Sequence, residues 1–245
     1  MVKNLSLLII MIACIHFSQA QISYIEIDYL NLEKGKDGSE MLYFTTLKDD
    51  GKSSLWITKD TSAYGGNMLR LPIDKDKFQG LFIDKVKNEL YVYSPIFNKN
   101  FYLKEDSLTS LFKWEINDTI QKNVLGYECK LATCFFRGRE YEVYYTEKLP
   151  FFAGPWKLTG LPGVILLAAT KDGKFQSTAY QIVVNKPYQE IRNPYNVSNL
   201  NFLTFLEYKR IFLKKIVDIQ KKAQSGEKDD DVTYTFEDDS IELLK

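Results

Sequence analysis

The stretch that most constrains this chain is Gly154–Thr170, GPWKLTGLPGVILLAAT. Val164-Ile165-Leu166-Leu167-Ala168-Ala169 runs without polar alternation, the pattern of a strand covered on both faces. Leu161 precedes a proline and is pushed towards extended dihedrals. Pro162 and Gly163 suit the two central positions of a type II turn, the proline by its fixed φ and the glycine by its access to positive φ. Asp172-Gly173 predicts the centre of a tight hairpin turn within Lys171–Lys174. The partner strand, Phe175 to Val184, alternates, with Tyr180, Ile182 and Val184 on one face. Two readings of the motif stay open. It is the core hairpin of a sheet, or Trp156, Gly160, Leu161, Pro162 and Gly163 shape the rim of a ligand-binding site.

Strand patterns fill most of the rest. Residues 22–30 alternate, Ile25 and Ile27 against Glu26 and Asp28, as a half-exposed strand does. Residues 41–47 and 54–58 flank a hairpin-type connection ending in Asp50-Gly51. Residues 80–84 and 89–94 pair around Lys87-Asn88, and residues 131–136 and 140–146 around Arg137-Gly138. Shorter strands are expected at 101–103 and 113–117. Turn signals about every ten residues predict an antiparallel architecture. The expected fold is mainly β, a curved antiparallel sheet or open half-barrel, in a single domain over 21–245.

One helix breaks the pattern. Residues 200–224 carry apolar side chains near a 3.6-residue period, including Phe202, Phe205 and Phe212. Ser198-Asn199 is the expected N-cap, and Gly226 lies beyond the expected end. Such a helix packs across a sheet; lying basic face down on a membrane is the alternative. The acidic run Glu227–Asp231 lacks the ligand spacing of a calcium loop, and residues 232–236 read as a last strand.

Residues 1–20 read as a cleaved signal peptide: Lys3, an apolar stretch too short for a comfortable membrane span, and Ser18-Gln19-Ala20 before the cut. A lipobox-like Ile12-Ala13-Cys14 is the alternative. Cleavage would remove Lys3 and no acid, leaving 31 basic against 32 acidic residues. That balance argues against a nucleic-acid partner. It would also remove His16, the chain's single histidine. The remainder then has no residue for a Ser-His-Asp or Cys-His triad, and none for a His-based zinc or copper site. No transmembrane segment is expected in it.

Cys129 and Cys134 would remain. On one strand the five-residue offset separates them by about 17 Å and points them to opposite faces, beyond the roughly 7 Å a disulfide tolerates. A bend at Ala132-Thr133 would permit the bridge, so buried thiols, a disulfide, and a metal or redox role all stay open.

The residues around the central motif resemble the GLPGLI family. Gly160-Leu161-Pro162-Gly163-Val164-Ile165 is similar to its signature, with Val164 in place of a leucine. Tyr127, Cys129 and Ala132 resemble its Tyr-x-Cys-x-x-Ala stretch, followed by Gly138-Arg139 with Tyr141, Tyr145-Thr146 and Gly154-Pro155. Ile241-Glu242-Leu243 is similar to its usual ending. Tyr144 departs from an expected tryptophan, and the N-terminal third carries no matching motif. The resemblance implies an exported protein of Bacteroidota-type bacteria, periplasmic or outer-membrane associated, without an established activity.

No phosphate loop, nucleophile elbow or Cys-x-x-Cys pair is present, and neither a cofactor nor a metal is expected. Asp60-Thr61-Ser62 has the start of an aspartic-protease motif without its glycine or a second copy. Phe151, Phe152 and Trp156 are candidates to line an apolar pocket. The leading expectation is a non-enzymatic envelope protein that binds or carries an apolar ligand. The alternatives are an accessory subunit of an outer-membrane transport complex and a His-free hydrolase using two carboxylates.

Overall fold

The computed structural model of the chain describes residues 23–64, 67–70, 78, 80–96, 99–184, 186–196, 200–226 and 242. The expected signal peptide, the Ser198-Asn199 cap and the strand at 232–236 lie outside these residues.

The described chain forms one 13-stranded sheet. Its N-terminal half contains β1 (Ile25–Lys34), β2 (Glu40–Asp49), β3 (Ser53–Tyr64), β4 (Asn67–Arg70), β5 (Gly80–Asp84), β6 (Glu89–Tyr93) and β7 (Tyr102–Asp106). The short helix α1 (Leu108–Leu111) leads into β8 (Glu115–Val124), β9 (Tyr127–Phe136), β10 (Arg139–Thr146), β11 (Val164–Thr170) and β12 (Phe175–Val184). The two-residue strand β13 (Phe202–Leu203) precedes helix α2 (Phe205–Gly226). The spatial order is β13-β7-β6-β5-β3-β2-β1-β12-β11-β10-β9-β8, with β4 beside β3. Pairing is antiparallel except between β13 and β7. β8 and β13 end the order without pairing to each other, so the sheet is open rather than a closed barrel. Register shifts at Asp28/Tyr29, Tyr43/Thr45 and Tyr144/Tyr145 increase local twist.

The unalternating run 164–169 is β11, and both its faces are covered. Val164 and Leu166 pack with Ile25, Ile27, Tyr29, Leu47 and Phe151. Ile165 and Ala168 pack on the other side with Tyr141, Val143, Tyr145, Leu158 and Leu161. The covering layers come partly from residues 147–163, which have little regular structure yet bury Leu149, Phe151, Leu158 and Leu161. Burying each of these side chains stabilises the fold by about 1.5–3 kcal/mol. Ile165 N–H donates to Ala153 O at 2.9 Å, and Tyr29 Oη–H donates to Ile165 O at 2.7 Å. Together they tie loop, β11 and β1 into one unit.

Three local expectations need correction. Gly163 does not sit in a type II turn: its N–H bonds Leu161 O at 2.8 Å, a tighter turn around Pro162. Its φ is +156°, and a Cβ there would lie 2.2 Å from Thr146 O. Close approach of two backbones, rather than turn type, is what demands glycine. At the β11–β12 turn, Gly173 N–H bonds Thr170 O at 2.9 Å, so Lys171-Asp172 are the central pair. Gly173 follows them at φ +72°. Finally, α2 starts at Phe205 and includes Gly226. Its N-cap is Thr204, which exchanges hydrogen bonds with Glu207 in a capping box legible as Thr-x-x-Glu.

Cys129 and Cys134 are both free and buried, so the disulfide does not form. They join different clusters on opposite faces of β9, as strand alternation requires. Burial pushes the Cys129 thiol up to about 11 and Cys134 up to about 12. We expect neither to react with a thiol reagent at pH 8 in the native protein and both to react in denaturant, read by mass spectrometry. Gly163→Ala is expected to destabilise the fold by about 3 kcal/mol in urea unfolding. Gly173→Ala, where a Cβ meets nothing within 4 Å, is expected to cost about 1 kcal/mol.

Candidate functional site

The loop between β10 and β11 reaches two features: a groove at the surface and a buried ion cluster.

The groove, of about 370 Å³, takes its lining from three places. Ile83, Lys85 and Asn88 come from β5 and its turn, Leu108 and Thr109 from α1, and Phe152, Thr159 and Gly160 from the β10–β11 loop, with Gly51 at its edge. Each wall is fixed by hydrogen bonds. Asn88 has φ +60° and accepts the Thr109 N–H at 3.2 Å, holding α1 against the β5–β6 turn. Trp114 Nε1–H donates to Thr159 O at 2.8 Å, and Thr159 Oγ1–H donates to Phe152 O at 2.8 Å. These leave Phe152 at 55% exposure beside the groove while Phe151 is buried. Lys85 has its ammonium 2.5 Å from Asp49 Oδ2, which also accepts Ser54 Oγ–H at 2.5 Å. Burial pushes the Asp49 carboxyl up, against the opposing pull of Lys85. The groove therefore combines apolar surface, neutral hydrogen-bonding groups and one cation whose charge is matched from below.

Lys157, in the same loop, is fully buried at 2% exposure. A buried ammonium needs partners, and it has two carboxylates: Glu105 Oε1 at 3.0 Å and Glu242 Oε2 at 2.8 Å. Arg137, at the tip of the β9–β10 turn, pairs with the same two acids. Phe205 and Phe136 flank its guanidinium, with ring centroids 3.3 and 4.8 Å from Cζ. Burial would raise the Glu105 carboxyl, but Lys157 and Arg137 outweigh it and hold it below the usual value of 4.5. Glu105 is thus an anion in a structural network, not a carboxyl poised to donate a proton.

Of the five residues expected at a binding rim, the fold brings only Gly160 to the groove. Trp156 is half-buried at φ +54°, its ring near parallel to Tyr141 with centroids 6.3 Å apart. Leu161 is in the core, Pro162 is exposed, and Gly163 abuts Thr146. Asn88 is legible only as part of the Lys87-Asn88 turn, and Lys85 and Thr109 lie in segments without a recognisable motif. Among the described residues no group of three metal-ligating side chains forms. None of their helices is long and apolar enough to cross a membrane, which says nothing of strands.

Glu105→Gln is expected to destabilise the protein by about 3 kcal/mol at pH 7, because the buried Lys157 and the part-buried Arg137 would share one carboxylate. A depressed folded-state pKa contributes stability that is complete above the unfolded value near 4.5. It is lost as the pH falls through the lower folded value. The wild-type advantage should therefore shrink in urea titrations below about pH 4.5, whereas a purely steric effect would persist.

Crystal structures of PNGF-II in space groups P21 and C2 share this fold. Their TM-scores are 0.51 and 0.52, with 18% and 19% sequence identity. Each match covers 78% of this chain and 33% of that one, so this chain spans about one third of the length of those proteins. A LolA-superfamily protein from Nitrosomonas europaea matches with a TM-score of 0.31 at 8% identity, covering 69% of this chain and 91% of that chain. That score is too low to carry an argument for a carrier. No curated protein matches the sequence. The family model described as "N-glycanase peptide, N-terminal domain" matches residues 55–209, more than half of the chain and every groove residue except Gly51. The chain belongs to this family of N-glycanase N-terminal domains.

Proposed function

We propose that the chain is an exported, non-catalytic recognition domain whose ligand occupies the groove between Lys85, Thr109 and Phe152. The observation that carries this reading is the half-exposed Phe152 ring set among neutral hydrogen-bonding groups. Such a surface fits a neutral ligand with one apolar and one hydroxyl-rich face. A sugar ring has that chemistry: its C–H face stacks on an aromatic ring while its hydroxyls meet Asn88, Thr109 and the Lys85 ammonium. The family's link to N-glycanases points to the same class, an N-linked oligosaccharide. A wholly apolar cargo fits less well, because the groove is open and Lys85, Asn88, Thr109 and Thr159 all line it. The non-catalytic reading draws support from Glu105 and Glu242, two close carboxylates that both face Arg137 and Lys157. Export rests on residues 1–20 and on the GLPGLI resemblance of Gly160–Ile165.

The test is calorimetric titration of the protein with released N-glycans. We expect saturable binding, weakened at least tenfold by Phe152→Ala and by Lys85→Ala, with Phe152→Ala leaving the melting temperature within a degree or two of wild type. Binding that Phe152→Ala leaves intact, or no binding at all, would sink the assignment. A co-purifying lipid found by native mass spectrometry would favour the carrier instead.

A further inference from the structure

The ion cluster contains one carboxylate that reaches it from far along the chain. Arg137 is set by the tight β9–β10 turn, at φ +45°, and its guanidinium lies between the rings of Phe136 and Phe205. Lys157 is set by the buried loop and sits 5.3 Å from the Trp156 ring centroid. Glu105, on β7, bridges the two cations. All of these groups belong to residues 105–205, within the span the family model matches. Glu242 does not, and it is separated by 85 and 105 residues from the cations it contacts. Without it, the buried Lys157 and the part-buried Arg137 face one buried carboxylate, leaving room and charge for one more.

We propose that Arg137 and Lys157, backed by Phe205, form a receptor site for a glutamate side chain on an acidic peptide segment, which Glu242 fills in cis. Ring contact with Phe205 and the Glu105 bridge hold the two cations on either side of the carboxylate. Arg137 and Lys157 approach it from different strands and loops, so it takes one carboxylate between two donors rather than a broad anion. Val-type or amide side chains would leave one buried positive charge uncompensated. The chemistry of a partner follows from the residues flanking Glu242: a glutamate between aliphatics, as in Ile241-Glu242-Leu243, preceded by acids.

The test uses full-length protein carrying Glu242→Gln and a fluorescein-labelled synthetic peptide of residues 236–245, FEDDSIELLK, followed by fluorescence anisotropy. Saturable binding is expected, at least tenfold tighter than to the wild-type chain, where Glu242 competes in cis. The same peptide carrying Glu242→Gln should bind at least tenfold more weakly, and Arg137→Gln added to the Glu242→Gln protein should abolish binding. Equal affinity for the two peptides, equal binding by wild type and variant, or no binding to a folded Glu242→Gln protein would overturn the proposal. Should Glu242→Gln leave the chain unfolded, the readout becomes recovery of the folded far-UV circular dichroism spectrum on adding the unlabelled peptide. No recovery at millimolar peptide, or equal recovery with the glutamine peptide, would overturn it equally.

Discussion

β11 has no polar face, and the fold is arranged around that constraint. A strand buried on both sides needs two covering layers, and an open sheet supplies neither by itself. One layer forms where the sheet curves, so that β1, β2 and β5 contribute Ile27, Leu47 and Leu81 to the cluster of Val164 and Leu166. The other is completed by the β10–β11 loop, which folds Leu158 and Leu161 against Ile165 and Ala168. Gly163 makes this possible by letting the loop backbone pass Thr146 at a distance no side chain would tolerate. A buried irregular loop carries many backbone groups out of water. The bonds from Ile165 to Ala153 and from Leu158 to Pro155 meet part of that need.

The same loop explains why the groove and the ion cluster are neighbours. Its residues alternate between facing the core, the surface and the buried charges: Leu158 is covered, Phe152 is exposed, and Lys157 turns to Glu105 and Glu242. One loop conformation therefore sets both the exposed aromatic of the groove and the buried ammonium of the cluster. Phe152 lies five residues before Lys157 and Thr159 two residues after it, so a single backbone segment carries groups of both features. Charge is partitioned with the same economy. In the groove Lys85 is matched by Asp49, and in the cluster two cations meet two carboxylates, so neither carries a large uncompensated field.

Much of this was legible residue by residue. The run Val164–Ala169 announced a doubly covered strand because nothing polar interrupts it, and the alternation of residues 22–30 announced β1. The offset of Cys129 and Cys134 placed them on opposite faces, and they occupy opposite clusters. The capping box Thr204–Glu207 is equally readable, but apolar periodicity runs on through Phe202 and Leu203 and blurs where β13 gives way to α2. The groove was barely legible. Gly160 carries a motif and Phe152 is a legible pocket candidate, but Lys85, Asn88 and Thr109 are ordinary residues in a turn and a short helix, and only their meeting gives them meaning.

The sequence by itself determined the class of the fold, because hydrophobic period and turn residues act over a few positions and require no partner to be read. It determined the character of β11, the presence of the long helix α2 and the separation of the two thiols for the same reason. Tertiary structure decided what depends on distant segments meeting. It chose Phe152 over Phe151 as the exposed ring, set the half-buried Trp156 against the core, and turned Gly163 from a turn former into a contact between backbones. It also buried Lys157, since a lysine's cost in the core is tolerable only where Glu105 and Glu242, far away in the chain, are brought within hydrogen-bonding distance.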